Sequence, residues 1–413
     1  MTQDTKNINV KSLLKQAFDV CGENIENLRK DYVRISETEY FLDAMKTHFA
    51  PELKRQPKVV VFGTDFTMEM VRALTGCPPY WVLGGSRVLQ EVSDELVPRD
   101  TDPVTRAALG ELFANEEWKE NTLVVVPCSS DAQRKAAYLL QSQGWKVVTI
   151  WIPAVKDSFA NKSFLSELDH AVRTICRHTG KRYSVFRLNK SAKYFNDIRA
   201  SIQSFLDVAY DNESVVPGIL RMAVLDSFFM CDNLDEWKLK LDKLTEAVKI
   251  TRIEKTNHPK VLIIGSPIFF PNYKIPNLLS ISNVEICGNI DCRTGIFKGK
   301  FGDKEKGLEA LARYYFEHDS SSAFVQNNQL QEAIYEAIER NKPDGIIWHV
   351  LKGQIEYDFE LQRCERYFEE KELPVIRLET DYQYQDIEQL RIRIEAFAEL
   401  LTQKQKEKGA VKS

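Results

Sequence analysis

The sequence predicts an α/β protein with two parallel-sheet domains joined by a helical segment. Three observations lead to this fold class. Short apolar runs alternate with stretches of helical periodicity in two separate parts of the chain, and most of these runs end at a glycine or a polar loop. Between the two parts, residues 158–256 show helical periodicity alone. Strands that alternate with helices indicate a parallel sheet covered by helices on both faces.

The predicted organisation has five segments, since a chain of 413 residues exceeds one ordinary domain. Residues 1–55 form an N-terminal helical segment and residues 56–157 the first α/β domain. Residues 158–256 form a helical bridge, residues 257–402 the second α/β domain, and residues 403–413 a frayed tail. Both α/β domains repeat the order of apolar strand, glycine turn and helix. This repetition predicts a duplicated flavodoxin-like (Rossmann-like) domain.

Eight apolar runs are predicted to be strands, four in each α/β domain. In the first domain they are Val59–Phe62, Tyr80–Leu83, Thr122–Pro127 and Lys146–Trp151. In the second domain they are Lys260–Gly265, Val284–Ile286, Gly345–Leu351 and Leu373–Leu378. The helix predicted between the last two strands is long enough for a right-handed crossover between parallel neighbours.

Glycine-rich or polar loops follow four of the predicted strands, at residues 63–65, 84–87, 128–131 and 265–267. Glycine lets a backbone approach a ligand closely, and the N–H groups of a following helix suit an anionic group. We therefore expect a substrate to contact Gly84, Gly85, Ser86, Gly265 and Ser266. Tight strand-to-helix turns without a ligand are the alternative, since no loop matches a Walker A or dinucleotide fingerprint.

Composition and charge exclude several classes of function. The net charge is −4 and the isoelectric point about 6.0, which gives no electrostatic reason to expect a nucleic acid or an anionic membrane as partner. The start of the chain has no apolar signal core, so a cytoplasmic location is expected. The eight cysteines include no C-x-x-C pair, and most are expected to be buried apolar residues.

Two regions carry a resemblance to a known family. Glu379-Thr-Asp-Tyr382 and the segment 389–397 resemble the carboxyl-terminal signature of the 2-hydroxyacyl-CoA dehydratase D-component family, which includes benzoyl-CoA reductase subunits. Residues 69–79 resemble the family stretch Pro-Glu-Glu-Leu-Ile-x-Ala-Ala-Gly-x-x-Pro, and Arg106 with Gly110 matches its segment Cys-x-x-x-Arg-x-x-x-Gly. The resemblance implies substrate contacts at Glu69, Arg106 and Asp381.

The same resemblance implies a place for a cofactor. Members of the family hold a [4Fe–4S] cluster with three cysteines, because thiolates are soft anionic donors for iron. Registering the motifs places Asp102, Ser130 and Gln354 at the three cysteine positions, with Cys128 as a thiol two residues from the second. These four residues are the expected cofactor-binding set, and Cys128 is the one expected metal ligand. The departure from three thiolates puts a [4Fe–4S] cluster in doubt.

Two interpretations of the loop that contains Asp102 stay open. The loop could line a polar pocket between the two α/β domains, together with Cys128, Ser130 and Gln354. The alternative is an Asx turn and helix cap ahead of Val104. His349, within an apolar strand, is expected to be a core residue whose hydrogen bonds are satisfied rather than a ligand.

The resemblance implies one function and leaves one alternative. It implies a lyase subunit that binds an acyl-CoA in the cleft between the α/β domains and pairs with a related subunit in a hetero- or homodimer. Such systems receive one electron from an ATP-dependent iron–sulfur activator and eliminate water through a ketyl radical anion. The alternative is a non-catalytic paralogue without a cluster, which binds a small molecule or a partner protein.

Overall fold

Two four-stranded parallel sheets flanked by helices form the framework of the molecule, which confirms the predicted fold class. The computed structural model describes residues 3–50, 56–64, 67–254, 257–301, 306–321 and 324–412. Within that part of the chain no helix is long and apolar enough to cross a membrane. The five segment boundaries given above stay a prediction.

The first sheet has the strand order β2-β1-β3-β4, and all its pairs are parallel. Its strands are β1 (Val59–Phe62), β2 (Tyr80–Val82), β3 (Leu123–Cys128) and β4 (Lys146–Trp151). Its helices are α3 (Met68–Thr75), α4 (Arg87–Ser93), α5 (Pro103–Ala114) and α6 (Asp131–Ser142). Strands β1 and β3 are buried along their whole length, as their continuous apolar sequences predict.

The second sheet repeats this topology in the order β6-β5-β7-β8. Its strands are β5 (Lys260–Gly265), β6 (Glu285–Ile290), β7 (Gly345–Leu351) and β8 (Val375–Thr380). Its helices are α11 (Lys274–Ile281), α12 (Leu308–His318), α13 (Asn328–Asn341), α14 (Glu356–Glu370) and α15 (Ile387–Lys412). Strand β6 extends beyond the predicted run because backbone pairing with β5 continues through Gly288 and Asn289, which carry no apolar signal.

Helices make up the rest of the chain. The N-terminal segment contains α1 (Gln3–Tyr32), α2 (Glu39–Phe49) and the 3-10 turn Ser36–Thr38, and a second 3-10 turn, Glu116–Trp118, precedes β3. The bridge contains α7 (Ser158–Thr179), α8 (Val185–Asp211), α9 (Gly218–Met230) and α10 (Leu234–Ile250). Residues 403–412 continue α15, and the frayed tail predicted from residue 403 stays a prediction. Their Lys, Gln and Glu residues are strong helix formers, so a polar composition alone does not end the helix.

The bridge shares one hydrophobic core with both sheets. The largest buried cluster combines side chains of α7, α8, α9 and α10 with one face of each sheet, for example Phe195 and Phe228 with Val61 and Ile263. Separate clusters cover the opposite face of each sheet. The two α/β domains are therefore held through the bridge as well as through direct contact.

A buried ion pair joins the first domain to the bridge and to the second domain. Glu69 on α3 is fully buried, and its Oε1 accepts a hydrogen bond from Arg199 Nη2 of α8 at 2.5 Å. Its Oε2 accepts from Tyr315 Oη of α12 at 2.6 Å. Burial, with the nearby carboxylate, raises the pKa of Tyr315 well above its usual value, so the hydroxyl stays a donor. Both carboxylate oxygens of Glu69, expected above to contact a substrate, are engaged within the protein.

Replacing Arg199 by methionine should destabilise the protein far more than the same change at an exposed arginine. Arg199→Met leaves the Glu69 charge buried with one hydrogen bond, which costs about 3–5 kcal/mol. The control is Arg173→Met, which removes a surface pair with Asp169 worth about 0–1 kcal/mol. Urea unfolding followed by circular dichroism measures both losses, and equal losses would contradict the structural role of the buried pair.

Candidate functional site

The loops at the carboxyl ends of the strands meet where the two α/β domains face each other. Tyr382, after β8, donates a hydrogen bond from Oη to Gly84 O at 2.8 Å. Tyr382 also packs with Leu351 at the end of β7 and with Ala107 of α5 in a small buried cluster. We call this contact, formed by Gly84, Gly85, Ala107, Leu351 and Tyr382, the strand-end interface. It occupies the place where the sequence predicts a pocket.

The two glycines allow this interface to close. A Cβ on Gly84 would lie 2.1 Å from Val104 O, and Gly84 has a φ of +74°, which disfavours any other residue. A Cβ on Gly85 would lie 2.2 Å from Phe270 O of the second domain. The neighbouring Ser86 is the N-cap of α4, where its Oγ accepts from Leu89 N at 3.3 Å. In this loop the close approach is to other backbone, and the expected substrate contacts of Gly84, Gly85 and Ser86 stay a prediction.

Asp102 and Gln354, two of the predicted cofactor residues, are brought together by the fold. Asp102 is the N-cap of α5, and its Oδ1 accepts from Thr105 N at 2.9 Å and from Gln354 Nε2 at 3.3 Å. Pro103 fills the first helical position, where a missing N–H costs nothing. The helix-cap interpretation of this loop is confirmed. Burial raises the pKa of the Asp102 carboxyl, although the hydrogen bonds from Thr105 and Gln354 act in the opposite direction.

The loop that carries Gln354 lies directly against the loop that carries Asp102. A Cβ on Gly353 would lie 3.2 Å from both Asp100 O and Asp102 N, and Gly353 has a φ of +87°. Gln354 Oε1 is buried and accepts no hydrogen bond within the described part of the chain. Because a buried acceptor without a donor is costly, this oxygen, next to the strand-end interface, would gain from an added N–H or O–H donor.

The second predicted position has a local structural role. Ser130 is the N-cap of α6 in a capping box, with Gln133 N bound to Ser130 Oγ at 3.2 Å and Ser130 N bound to Gln133 Oε1 at 3.1 Å. Neither hydrogen bond involves Asp102 or Gln354. Cys128 is the last residue of β3 and belongs to a buried hydrophobic cluster, with Sγ 3.5 Å from Val126 O.

These residues do not fit a [4Fe–4S] cluster. A cubane is held by thiolates, whereas the three registered positions offer a carboxylate, a hydroxyl and an amide, and the first two are engaged in capping helices. Cys128 lies in the core of the first domain. Across the described ranges no group of three or more His, Cys, Asp or Glu side chains could hold a metal ion. The expected ligand role of Cys128 stays unsupported by the geometry.

The other residues expected to contact a substrate are hydrogen-bonded to the protein. Arg106 forms an ion pair with Asp94 and donates to Arg99 O at 3.3 Å. Asp381 accepts from Lys352 Nζ at 2.8 Å through Oδ2 and from Gln383 N at 2.8 Å through Oδ1. Both side chains order the loops that flank the strand-end interface.

The loop after β5 is joined to the neighbouring strand β7. Ser266 Oγ accepts from Leu351 N at 2.9 Å, and a Cβ on Gly265 would lie 2.2 Å from His349 O. His349 is buried, its Nδ1 is 2.9 Å from Ser266 O, and burial lowers its pKa to about 4. The expectation that His349 is a core residue is confirmed. Asp65, in the loop after β1, lies outside the described residues.

A buried cluster of charged side chains lies behind the strand-end interface, and the sequence does not predict it. Arg293 forms ion pairs with Asp226 of α9 and with Asp291, the latter at 2.5 Å. Asp226 Oδ2 also accepts from Phe270 N at 3.0 Å and from Tyr273 Oη at 2.8 Å. The cluster therefore fixes the loop whose carbonyl touches Gly85. Sequence periodicity gives no signal for it, because its members lie on three elements far apart in the chain.

Comparisons with known proteins match almost the whole described fold. The family model for 2-hydroxyglutaryl-CoA dehydratase, D-component, matches residues 64–401. The chain is 21% identical over 266 residues to the (R)-phenyllactyl-CoA dehydratase beta subunit of Clostridium sporogenes. The aligned region covers 64% of this chain and 70% of that protein. It is 23% identical over 252 residues to the lactoyl-CoA dehydratase subunit beta of Anaerotignum propionicum. That match covers 59% of this chain and 65% of the relative.

An alanine at Gly85 should weaken the contact between the two domains. The added Cβ would meet Phe270 O at 2.2 Å and Phe269 O at 3.0 Å, so the loops must separate at a cost of about 1–3 kcal/mol. The matched control is Gly22→Ala within α1, where no atom lies within 4 Å and helix propensity should add about 0.5–1 kcal/mol of stability. The thermal unfolding midpoint should fall in Gly85→Ala and rise in Gly22→Ala. A shift of both midpoints in the same direction would argue against a closed interface.

The buried Asp102 carboxyl predicts a pH-dependent difference between the wild type and Asp102→Asn. Its pKa is raised on folding, so the folded chain keeps a proton that the unfolded chain loses near pH 4. This contribution to stability is present below that pH and is lost as the pH rises through the folded pKa. Asparagine keeps the cap without the charge. The unfolding midpoint of Asp102→Asn should therefore rise relative to that of the wild type between pH 4 and pH 7. A difference between the two midpoints that does not change with pH would contradict the effect of burial on Asp102.

Proposed function

Since this chain belongs to the 2-hydroxyglutaryl-CoA dehydratase D-component family, we propose that it is a subunit without an iron–sulfur cluster in a two-subunit system acting on an acyl-CoA. The observation that carries this proposal is the donor set. Asp102, Ser130 and Gln354 replace the three thiolates of the family pattern, and Asp102 and Ser130 cap helices instead. The redox centre of the assembly is then held by a related partner subunit, which also receives the electron from an ATP-dependent activator.

The contribution of this chain is to bind and orient the acyl-CoA at the outer mouth of the cleft between its α/β domains. The closed strand-end interface supports a position outside the interface rather than within it. Gln354 Oε1 is an acceptor without a donor among the described residues, and Lys352, two residues earlier in the chain, is 58% exposed and paired with Asp381. An amide acceptor next to a cation suits the amide groups and phosphates of a CoA ester.

An apolar surface beside Gln354 is suited to the partner subunit. Ile355 and Phe359 lie four residues apart at the start of α14, so they face the same side, and they are 65% and 67% exposed. Exposed large apolar residues that cluster next to a site often mark an interface between subunits. We assign this surface to a D-component-family chain that keeps its three cysteines.

The test is anaerobic purification of the tagged full chain from its own host. The chain alone should be colourless and free of iron. The complex should contain a second D-component-family chain, which mass spectrometry identifies. That chain should have cysteines at the positions that align with Asp102, Ser130 and Gln354 of this chain, and it should hold all the iron of the complex. Phe359→Ser should lower recovery of that partner about tenfold or more without lowering the unfolding midpoint, since exposed apolar contacts act only in the complex.

The control is Phe186→Ser, at a phenylalanine on α8 of the bridge that is 78% exposed, and this change should leave partner recovery unchanged. Iron bound by the purified chain alone would refute the absence of a cluster. A chain that is recovered without any related subunit would favour the alternative of an independent binding protein.

A further inference from the structure

A cavity of about 240 Å³ lies at the outer edge of the second sheet. Helices α8 and α9 of the bridge form one wall, the edge strand β6 and residues 291–298 the floor, and α13 the other wall. None of its lining residues belongs to the strand-end interface. The walls are largely apolar and include Leu206, Met222, Leu225, Phe297, Ala333 and Ala337.

Arg221 brings a buried positive charge to this cavity. Its side chain is on the first turns of α9 and is 3% exposed. Nη1 donates to Val216 O at 3.0 Å and Nη2 to Ile286 O at 2.5 Å, which uses two of its five N–H groups. Gly218 permits this position, because a Cβ there would lie 2.0 Å from Ile286 O and would hold α9 away from β6.

Every other cation that lines the cavity has an ion-pair partner. Arg293 is bound by Asp226 and Asp291, Lys298 by Glu336 at 2.7 Å, and Arg340 by Asp207. Among the described residues no carboxylate forms an ion pair with Arg221. A buried charge without an ion-pair partner is unfavourable, and the positive end of the α9 dipole adds to the cost.

The surroundings of Arg221 compensate its charge only in part. The Tyr210 ring lies between two guanidinium groups, 5.1 Å from Arg221 Cζ and 4.8 Å from Arg340 Cζ. The nearby Glu285 is directed at the α9 N-terminus, where its Oε1 accepts from Gly218 N at 2.7 Å. Burial raises the pKa of Glu285 while the charge of Arg221 lowers it, so Glu285 acts on the guanidinium from beyond ion-pair distance.

We propose that this cavity binds a small organic carboxylate with a compact apolar body. The carboxylate pairs with the remaining N–H groups of Arg221, and the apolar body lies against Leu206, Met222 and Phe297. Arginine is the side chain whose geometry matches a carboxylate in two parallel hydrogen bonds. The volume is below the range of drug-sized ligand sites, so a CoA ester is too large. This site is independent of the acyl-CoA role proposed above.

The first test compares an acid with its neutral amide on the wild-type full chain. Isothermal titration calorimetry with isovalerate should give saturable binding at one site per chain. Isovaleramide has nearly the same shape without the charge. Its affinity should be lower by about tenfold or more, because the charge-assisted hydrogen bonds to Arg221 are lost. This comparison needs no variant, so it does not depend on whether a mutant folds.

Two variants locate the site. Arg221→Met should weaken isovalerate binding about tenfold or more, whereas Arg391→Met, at an exposed arginine of α15 paired with Glu388 and Glu395, should not change it. Ala337→Leu adds volume from the wall of the cavity and should weaken binding to a similar degree while the circular dichroism spectrum stays unchanged. A crystal soaked in 4-bromobenzoate should show its anomalous bromine peak in the cavity.

Three results would overturn the proposal. Equal binding of acid and amide would exclude a carboxylate site. Binding that survives both Arg221→Met and Ala337→Leu would place the ligand elsewhere. An absence of isovalerate and 4-bromobenzoate binding at millimolar concentration would show that the Arg221 charge is tolerated without an organic anion.

Discussion

The compensation of buried charge determines how the parts of this molecule are joined. Glu69 meets Arg199 across 130 residues of sequence, and Arg293 meets Asp226 across 67. Lys274 inserts its ammonium group into the loop after β8, where it donates to Asp381 O, Gln383 O and Asp386 Oδ1 at 2.7 Å each. Each pair loses several kcal/mol if one partner moves away, so these pairs fix the bridge and both sheets in one relative position.

This fixed arrangement extends to the loops that carry the family's three thiolate positions. A cluster would tie three loops together through its iron atoms. Here Asp102 and Ser130 supply side-chain oxygens to the N-termini of α5 and α6, each cap contributing about 1 kcal/mol. Gln354 then bridges the domains through its hydrogen bond to Asp102. Local hydrogen bonds and the closed contact at Gly84 and Gly85 therefore hold these loops.

The sequence predicts the sheets well and the site only in part. Strands such as Val59–Phe62 and Gly345–Leu351 are continuous apolar runs, and burial on both faces of a parallel sheet is what produces such runs. The capping box at Ser130 could also have been found, since Ser-x-x-Gln ahead of a helix is its signature. The closure over Gly84 could not, because it depends on Tyr382, 298 residues away, and no local pattern encodes such a contact. The same holds for Arg221, whose unpaired state is a property of the assembled cavity.

Asp226 connects the proposed carboxylate cavity to the strand-end interface. Its side chain lines the cavity, and its Oδ2 accepts a hydrogen bond from Phe270 N. The carbonyl oxygen of the same Phe270 lies against Gly85. A carboxylate near Arg221 therefore changes the field at a cluster that supports the interface. Coupling between sites, however, requires two states with different affinities for the ligand, and this cluster has a single arrangement in which both carboxylates are bound to Arg293. The physical expectation is then stabilisation by mass action, about 2.7 kcal/mol at a hundred times the dissociation constant, rather than a change in the shape of the interface.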